Sequence, residues 1–376
     1  MAEKTIFFKG LNGIRAIAAL SVLFAHTTMM LGDFGLNAFI FGTYDDGNPK
    51  ATLLAGLGVS MFFALSGFLI TYLLLEEKKT GNISVKNFYI RRVLRIWPLY
   101  YAYMILSLLT LIKFTEQTIN STILFYIFLA ANVPFIIGTA IDFISHYWSL
   151  GVEEQFYSFW PWLIRRGGGN TLIMTVLICA GLILLKTAIR IYDIQYNNGN
   201  IGLAYSILHT TRFQCMLIGA VGAILYFQQN KWFLMLTNNY FVQSIAWLAI
   251  VLAAVNQFHI ISFLDNEIFC VVTLVVIIGQ IKTEKRIVNL NHPVFDFVGK
   301  ISYGIYVIHP LVIFYLAKAI HFSNSQLPLN YLIIYTVVFI AVISIAYLSY
   351  KYFEKPFLSL KLKYSIVRSS SERNKH

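Results

Sequence analysis

Residues 53–75 read LLAGLGVSMFFALSGFLITYLLL, twenty-three positions without one charged side chain. About 20 apolar residues suffice to cross the hydrocarbon core of a bilayer, so this stretch alone is a membrane span. The segment after it, 76–96, carries Lys78, Lys79, Lys86, Arg91, Arg92 and Arg95, whereas the segment before it carries only Lys50. Basic residues collect in cytoplasmic loops, which puts the far end of this span, and the chain's N-terminus, inside.

Working outward, the chain has 376 residues, of which 58% are hydrophobic and 12% charged. Soluble domains carry about a quarter charged residues, so most of this surface meets lipid. Apolar runs fall near 11–30, 53–75, 97–114, 121–138, 147–164, 171–191, 205–228, 238–256, 262–281, 296–320 and 329–353. If 121–138 does not cross, Arg165 and Arg166, Lys231, the group Lys282, Lys285 and Arg286, and the basic tail from Lys351 all fall inside, and the outer loops keep essentially only Lys50. If it did cross, the basic tail would lie outside. The expected fold is therefore all-α: a polytopic membrane protein of about ten transmembrane helices with both termini cytoplasmic, plus a re-entrant or interfacial segment near 121–138. Residues 1–357 form a single transmembrane domain and 358–376 a short basic cytoplasmic tail, polar and expected to be disordered from Arg368 onward. The first apolar run is too long for a cleavable signal, lacks a cleavage site and contains Arg15 and His26, so it reads as a retained span.

The net charge of +12 would suggest nucleic acid in a soluble protein. Here the basic residues sit in short loops between apolar runs, which is a topology signal and excludes a nucleic-acid face. Cys179, Cys215 and Cys270 lie singly inside apolar runs, without disulfide or metal-ligand spacing, and read as packing residues. No internal repeat marks the inverted halves of many transporters.

Ionisable residues inside a membrane cost several kcal/mol and point to function. Arg15 and His26 in GIRAIAALSVLFAHT (13–27) stand eleven residues apart on one helix face, about 16 Å from each other, Arg15 near the cytoplasmic end and His26 in the outer half. The bland alternative has Arg15 reaching headgroups and His26 bonding a neighbouring helix. Arg91, Arg92 and Arg95, ahead of Ile96, Trp97 and Pro98, could clamp phosphates or simply anchor the inner face. HYWSLGVEEQFYSFWPW (146–162) carries Glu153 and Glu154 into an apolar run; Ser149, Glu153 and Tyr157 share a face and Glu154 points about 100° away. His309 and Pro310 in ISYGIYVIHPL suit a kinked helix with a core histidine. His209 and Arg212 near an outer helix end could pair with an outer carboxylate or meet substrate.

Taken together these segments resemble the integral membrane acyltransferase 3 family, whose bacterial members O-acetylate surface and secreted glycans. The matching pieces are Arg15-x10-His26, FFALSGFLITYLL (62–74, with Ser66), RRVLRIWPLYY (91–101), WSLGVEEQFY (148–157), ISYGIYVIHP (301–310) and YFEKP (352–356), in the family's order and over essentially the whole chain. The resemblance implies ten core helices with cytoplasmic termini and an O-acetyltransferase of the inner membrane, without the appended esterase-like domain that some members carry. Acetyl-CoA or another acyl-CoA is then the co-substrate, with no permanently bound cofactor or metal, and the acceptor is a glycan or glycolipid such as lipopolysaccharide, capsule or exopolysaccharide. His26 becomes the catalytic base or nucleophile, and Arg15, Arg91, Arg92 and Arg95 the donor-binding residues. Glu153 would orient His26 or bind the sugar, supported by Ser66, Trp148, Ser149, Glu154, Tyr157, Arg212 and His309. Tyr147, Trp148 and Tyr157 could stack on sugar rings. Rival readings are a flippase or exporter of a glycan or acyl precursor without chemistry, a membrane receptor or scaffold, and an acyltransferase acting on a small secondary metabolite.

Overall fold

The computed structural model describes residues 4–5, 8–44, 47, 49–116, 119–197, 199–322, 327–364 and 367–368. The expected disordered stretch lies, beyond Arg368, outside the described residues. Helices follow one another along the chain: α1 (Leu11–Met29), α2 (Thr52–Thr80), α3 (Val85–Phe114), the short α4 (Ile123–Ile127) and α5 (Asn132–Ile136), α6 (Trp148–Arg166), α7 (Thr171–Tyr196), α8 (Leu203–Thr211), α9 (Phe213–Phe227), α10 (Lys231–Thr237), α11 (Tyr240–Ala254), α12 (Asp265–Lys282), α13 (Pro293–Lys300), α14 (Ser302–Ala319), α15 (Pro328–Ser349) and α16 (Lys355–Leu362), the last two joined by a π-turn at Tyr350–Glu354. The boundary expected at 357 falls inside α16, which packs on α3.

The protein is a multi-pass membrane protein. Six helical segments are long and apolar enough to cross a membrane, seven if the bent pair α10–α11 counts as one span. Helices α1, α6 and α12 have 19, 19 and 18 residues. At 1.5 Å per residue that is about 27–29 Å, close to the hydrocarbon thickness. They are the helices that hold Arg15 with His26, Glu153 with Glu154, and Asp265 with Glu267, which lowers their apolarity. The expected ten crossings require these three as well. Lys4–Thr5 pairs in parallel with Val367–Arg368, which brings these two segments, far apart in sequence, together.

Two sequence expectations change in detail. The inner basic loop shrinks to residues 81–84, because the Ser84 hydroxyl accepts the Asn87 N–H and starts α3 early. Arg91, Arg92 and Arg95 thus sit on a helix, where their faces differ. Segment 121–138 is α4 and α5, broken at Leu129 (φ 59°). Its backbone is covered by protein: the Tyr100 and Tyr101 hydroxyls donate to the Tyr126 and Ile127 carbonyls at 2.8 Å each. Asn132 and Gln155 exchange amide hydrogen bonds at 3.2 and 2.7 Å, and the segment is held in the protein despite not crossing.

Helix α2 is the hub, packed by α1, α6, α9 and α12. It approaches α9 so closely that a Cβ on Gly67 would lie 1.9 Å from the Met216 carbonyl oxygen, and one on Gly219 2.0 Å from that of Ala64. Lipid supplies no hydrophobic drive between helices, so such small-residue crossings hold them by dispersion. Gly219→Val forces the two backbones apart; the expected cost is about 3 kcal/mol, read as a lower unfolding temperature in detergent, with activity lost in proportion to folded protein.

Candidate active site

Pro310 cannot donate to the helical ladder, and α14 is opened around it. The Leu311 N–H finds the Tyr103 hydroxyl at 3.2 Å, and the Val307 carbonyl accepts from His146 Nε2 at 3.1 Å. One residue before the proline, fully buried His309 reaches across to α1, its Nε2 2.6 Å from Nδ1 of half-buried His26. His309 Nδ1 stands 3.1 Å from the Ile305 carbonyl, which can only accept. The His309 proton therefore sits on Nδ1, its Nε2 accepts from His26 Nδ1–H, and His26 Nε2 keeps the free lone pair. One tautomer of His26 is selected by a chain that ends on the backbone.

The first cavity lies between α1, α2, α3, α6 and α14 and holds about 930 Å³, its mouth included. Apolar side chains such as Val59, Phe62, Phe63 and Leu69 make most of its wall; Arg15, Arg92, Arg95, Ser66, Glu153 and Tyr157 supply the polar groups. Glu153 accepts from Ser66 Oγ at 3.0 Å and from the Tyr157 hydroxyl at 2.9 Å. Arg92 lies over the Phe88 and Tyr157 rings at 5.5 Å, and its Nε is buried without a hydrogen-bond partner among the described residues. Arg15 donates to Asn12 Oδ1 at 2.6 Å, Asn12 to Asp296 at 2.7 Å, and Asp296 pairs with Lys300 at 2.6 Å, a network that holds the guanidinium in place. The inner end of the cavity is closed by Ser149 and Tyr306, which are hydrogen-bonded to each other. The Tyr306 and His309 ring centres are 6.1 Å apart, so one aromatic ring separates the cavity from the histidine pair. Arg15 and His26 thus face the same side of α1, toward α14, as their spacing requires.

A wide groove of about 2290 Å³ opens elsewhere, lined by residues such as Tyr44, Lys50, Arg190, His209, His259 and Asp265. Its wall includes Leu53 of α2, whereas the cavity mouth includes Leu73. Twenty helical residues separate these by about 30 Å, so groove and mouth occupy opposite ends of the bundle. Phe135 of the groove stacks on Trp148 at 5.3 Å, and Trp148 meets the cavity residue Phe63 at 6.2 Å.

A model of the acyltransferase 3 family, described as an acyltransferase domain, matches residues 8–351. The chain belongs to that family. Among curated relatives, "Putative O-acetyltransferase SAR0937" of Staphylococcus aureus strain MRSA252 is 28% identical over 401 residues, covering 98% of this chain and 60% of its own. O-acetyltransferase OatA of Staphylococcus aureus strain NCTC 8325 is 27% identical over 379 residues, covering 93% of this chain and 57% of its own. The chain therefore spans about three fifths of the length of these relatives. No solved structure matches it.

The other residues singled out from this family member's sequence take different places. Arg91 is turned away from the cavity into an ion pair with Glu77 at 3.0 Å and a bond to the Tyr364 carbonyl. Glu154, on the face away from Glu153, accepts from Trp97 Nε1 at 3.2 Å and lies outside the cavity. Arg212 ties the α8–α9 break (φ 45°) to the Gly56 carbonyl, Ser60 and Asn266, and lies 5.3 Å over Trp148. Tyr147, Trp148 and Tyr157 are 0%, 9% and 3% exposed, packed inside the protein and not presented on an outer face. Tyr147 stacks on Tyr100 and Trp148 on Phe135 instead. His26 Nδ1 is hydrogen-bonded to His309, whereas Glu153 is bonded to Ser66 and Tyr157.

Sequence reasoning missed His146 and Tyr306. His146 is buried, with Nε2 donating to Val307 and Nδ1 left without a partner among the described residues. Its ring centre lies 5.3 Å from that of His309. The available signal was a histidine at the head of the two-glutamate motif, three residues before Ser149, and a tyrosine three before His309.

Proposed function

We propose that the protein is an O-acetyltransferase of the cytoplasmic membrane that takes an acetyl group from cytoplasmic acetyl-CoA and passes it to a hydroxyl of an extracytoplasmic glycan. The observation that carries this reading is the cavity that runs from an arginine-lined mouth to within one ring of the His26–His309 pair. The mouth is the basic end, which the distribution of lysine and arginine assigns to the cytoplasm. The apolar wall suits a thin, uncharged acyl-pantetheine arm, with Arg15, Arg92 and Arg95 left for its phosphate. Tyr306 swings aside to let the thioester reach the histidines. The groove at the opposite end takes the acceptor.

With Nδ1 committed to His309, His26 Nε2 takes the proton of the acceptor hydroxyl as its oxygen attacks the thioester carbonyl. The C–S bond breaks, the C–O ester bond forms, and the proton passes to the departing CoA thiolate. Glu153, fixed by Ser66 and Tyr157 on the cavity wall, positions the arm by accepting an amide N–H.

The test is mass spectrometry of the surface polysaccharide from cells with and without the gene, together with acetyl-CoA consumption by purified protein in nanodiscs. Gene-dependent acetyl esters and acceptor-dependent release of CoA are expected. A protein that moves a glycan but never consumes an acyl-CoA would replace this reading with transport.

A further inference from the structure

A second chamber of about 720 Å³ adjoins the first and shares Arg15, Arg95 and Tyr303 with it. The rest of its wall comes from α13, the π-turn and α16, none of which supplied a candidate residue at the sequence level. Three lysines, Lys300, Lys355 and Lys361, join the two arginines in its lining, together with the carboxylate of Glu354. The π-turn between α15 and α16 buries Glu354, where Ser349 Oγ donates to it at 3.1 Å. Lys300 is held by Asp296, the same carboxylate that fixes Asn12 and so Arg15.

We propose that this chamber is the nucleotide pocket of the donor site and binds the adenosine 3′,5′-bisphosphate end of a CoA thioester. The inference rests on the acetyl-CoA reading above and deepens it. CoA has two unlike halves, a thin neutral arm and a bulky polyanionic head. The two chambers differ in the same sense: three of the nineteen residues lining the first are cations, against five of the twelve lining the second, and Arg15 and Arg95 belong to both. Ammonium groups bind phosphate as point charges and draw anions into a cleft. The carboxylate among them would repel a bare phosphate or an anionic lipid headgroup. A nucleotide meets it with the hydrogen-bond donors of its base. The donor is therefore selected as free CoA thioester, by contacts that an acyl group carried on phosphopantetheine alone cannot make.

The experiment uses the full chain in nanodiscs. Calorimetric titration with adenosine 3′,5′-bisphosphate should show binding, while phosphate, glycerol phosphate and 4′-phosphopantetheine at equal concentration should not compete with it. Acetyl-dephospho-CoA should show a KM about tenfold above that of acetyl-CoA at similar kcat, one charge-assisted contact's worth. Lys355→Ala, at an exposed position, and Lys361→Gln should each raise KM for acetyl-CoA about tenfold, with unfolding temperature checked for both. Turnover of acetyl-CoA with KM unchanged in both variants and equal to that of acetyl-phosphopantetheine overturns the nucleotide chamber and leaves the acetyltransferase standing. Binding of glycerol phosphate or anionic-lipid vesicles in place of the nucleotide overturns it as well. Tight nucleotide binding without consumption of any acyl-CoA would keep the chamber and remove the acetyltransferase.

Discussion

His26→Ala is expected to lower acetyl transfer about 10³-fold at unchanged membrane level and unfolding temperature. Among the described residues, His309 has both ring nitrogens hydrogen-bonded, whereas His26 has only Nδ1 so engaged. Its Nδ1–H goes to His309, and His309 goes to the Ile305 carbonyl. Alanine removes the base, worth typically 10²–10⁴ in rate, and leaves the donor chambers untouched. The expected signature is a collapse of kcat with KM for acetyl-CoA within a factor of about two, because neither chamber has His26 on its wall. His309→Phe keeps the ring volume but releases the tautomer, so its expected loss is smaller, about 10²-fold. Equal acetylation by wild type and His26→Ala would end the catalytic assignment. An equal and complete loss in both variants with lowered unfolding temperature would point to packing, and is distinguished by that temperature.

Lys186→Met is expected to destabilise the protein by about 3–5 kcal/mol, the usual result of breaking a buried ion pair from one side. Lys186 is wholly buried on α7, and its Nζ lies 2.6 Å from Glu267 Oε1 on α12. Gln214 Nε2 of α9 donates to the same oxygen at 2.7 Å, and Glu267 Oε2 has no hydrogen-bond partner among the described residues. Removing the ammonium leaves a carboxylate facing hydrocarbon with a single neutral donor. The double variant Lys186→Met with Glu267→Gln should recover most of the loss, since no uncompensated charge remains. The check is thermal unfolding in detergent across the four members of the cycle. A single variant as stable as wild type would show that α7 is held by its apolar contacts alone.

Much of the fold was legible in the chain because bilayer thickness and backbone hydrogen bonding leave few options. Twenty-three uncharged residues at 53–75 can only span or be buried. The interruption at 121–138 was legible through the basic residues elsewhere, whose sidedness it would have inverted. Helix breaks at Arg212 and Ile301 were not, because an apolar run reads the same whether the helix continues or bends. The polar residues were found by their expense in lipid, but expense does not say where a side chain points. Arg91 and Arg92 are adjacent in sequence, and 100° of helical rotation sends one to Glu77 and the other to the cavity wall.

Composition and the spacing of charges by themselves determined a multi-pass helical membrane protein, and the order of its motifs marked the acyltransferase 3 family. One helix face set Arg15 and His26 toward the same side, a matter of 3.6-residue periodicity alone. Only the tertiary structure brought His309 to His26, packed Trp148 between Phe135 and Phe63, and set three lysines from α13 and α16 in one chamber with Arg15 and Arg95. The physical reason is range. Periodicity and hydropathy act along the chain, over a few turns of helix. A hydrogen bond between residues 283 positions apart depends on how helices cross, and that is settled by close packing such as the Gly67 and Gly219 contacts, which leave no mark in the local pattern.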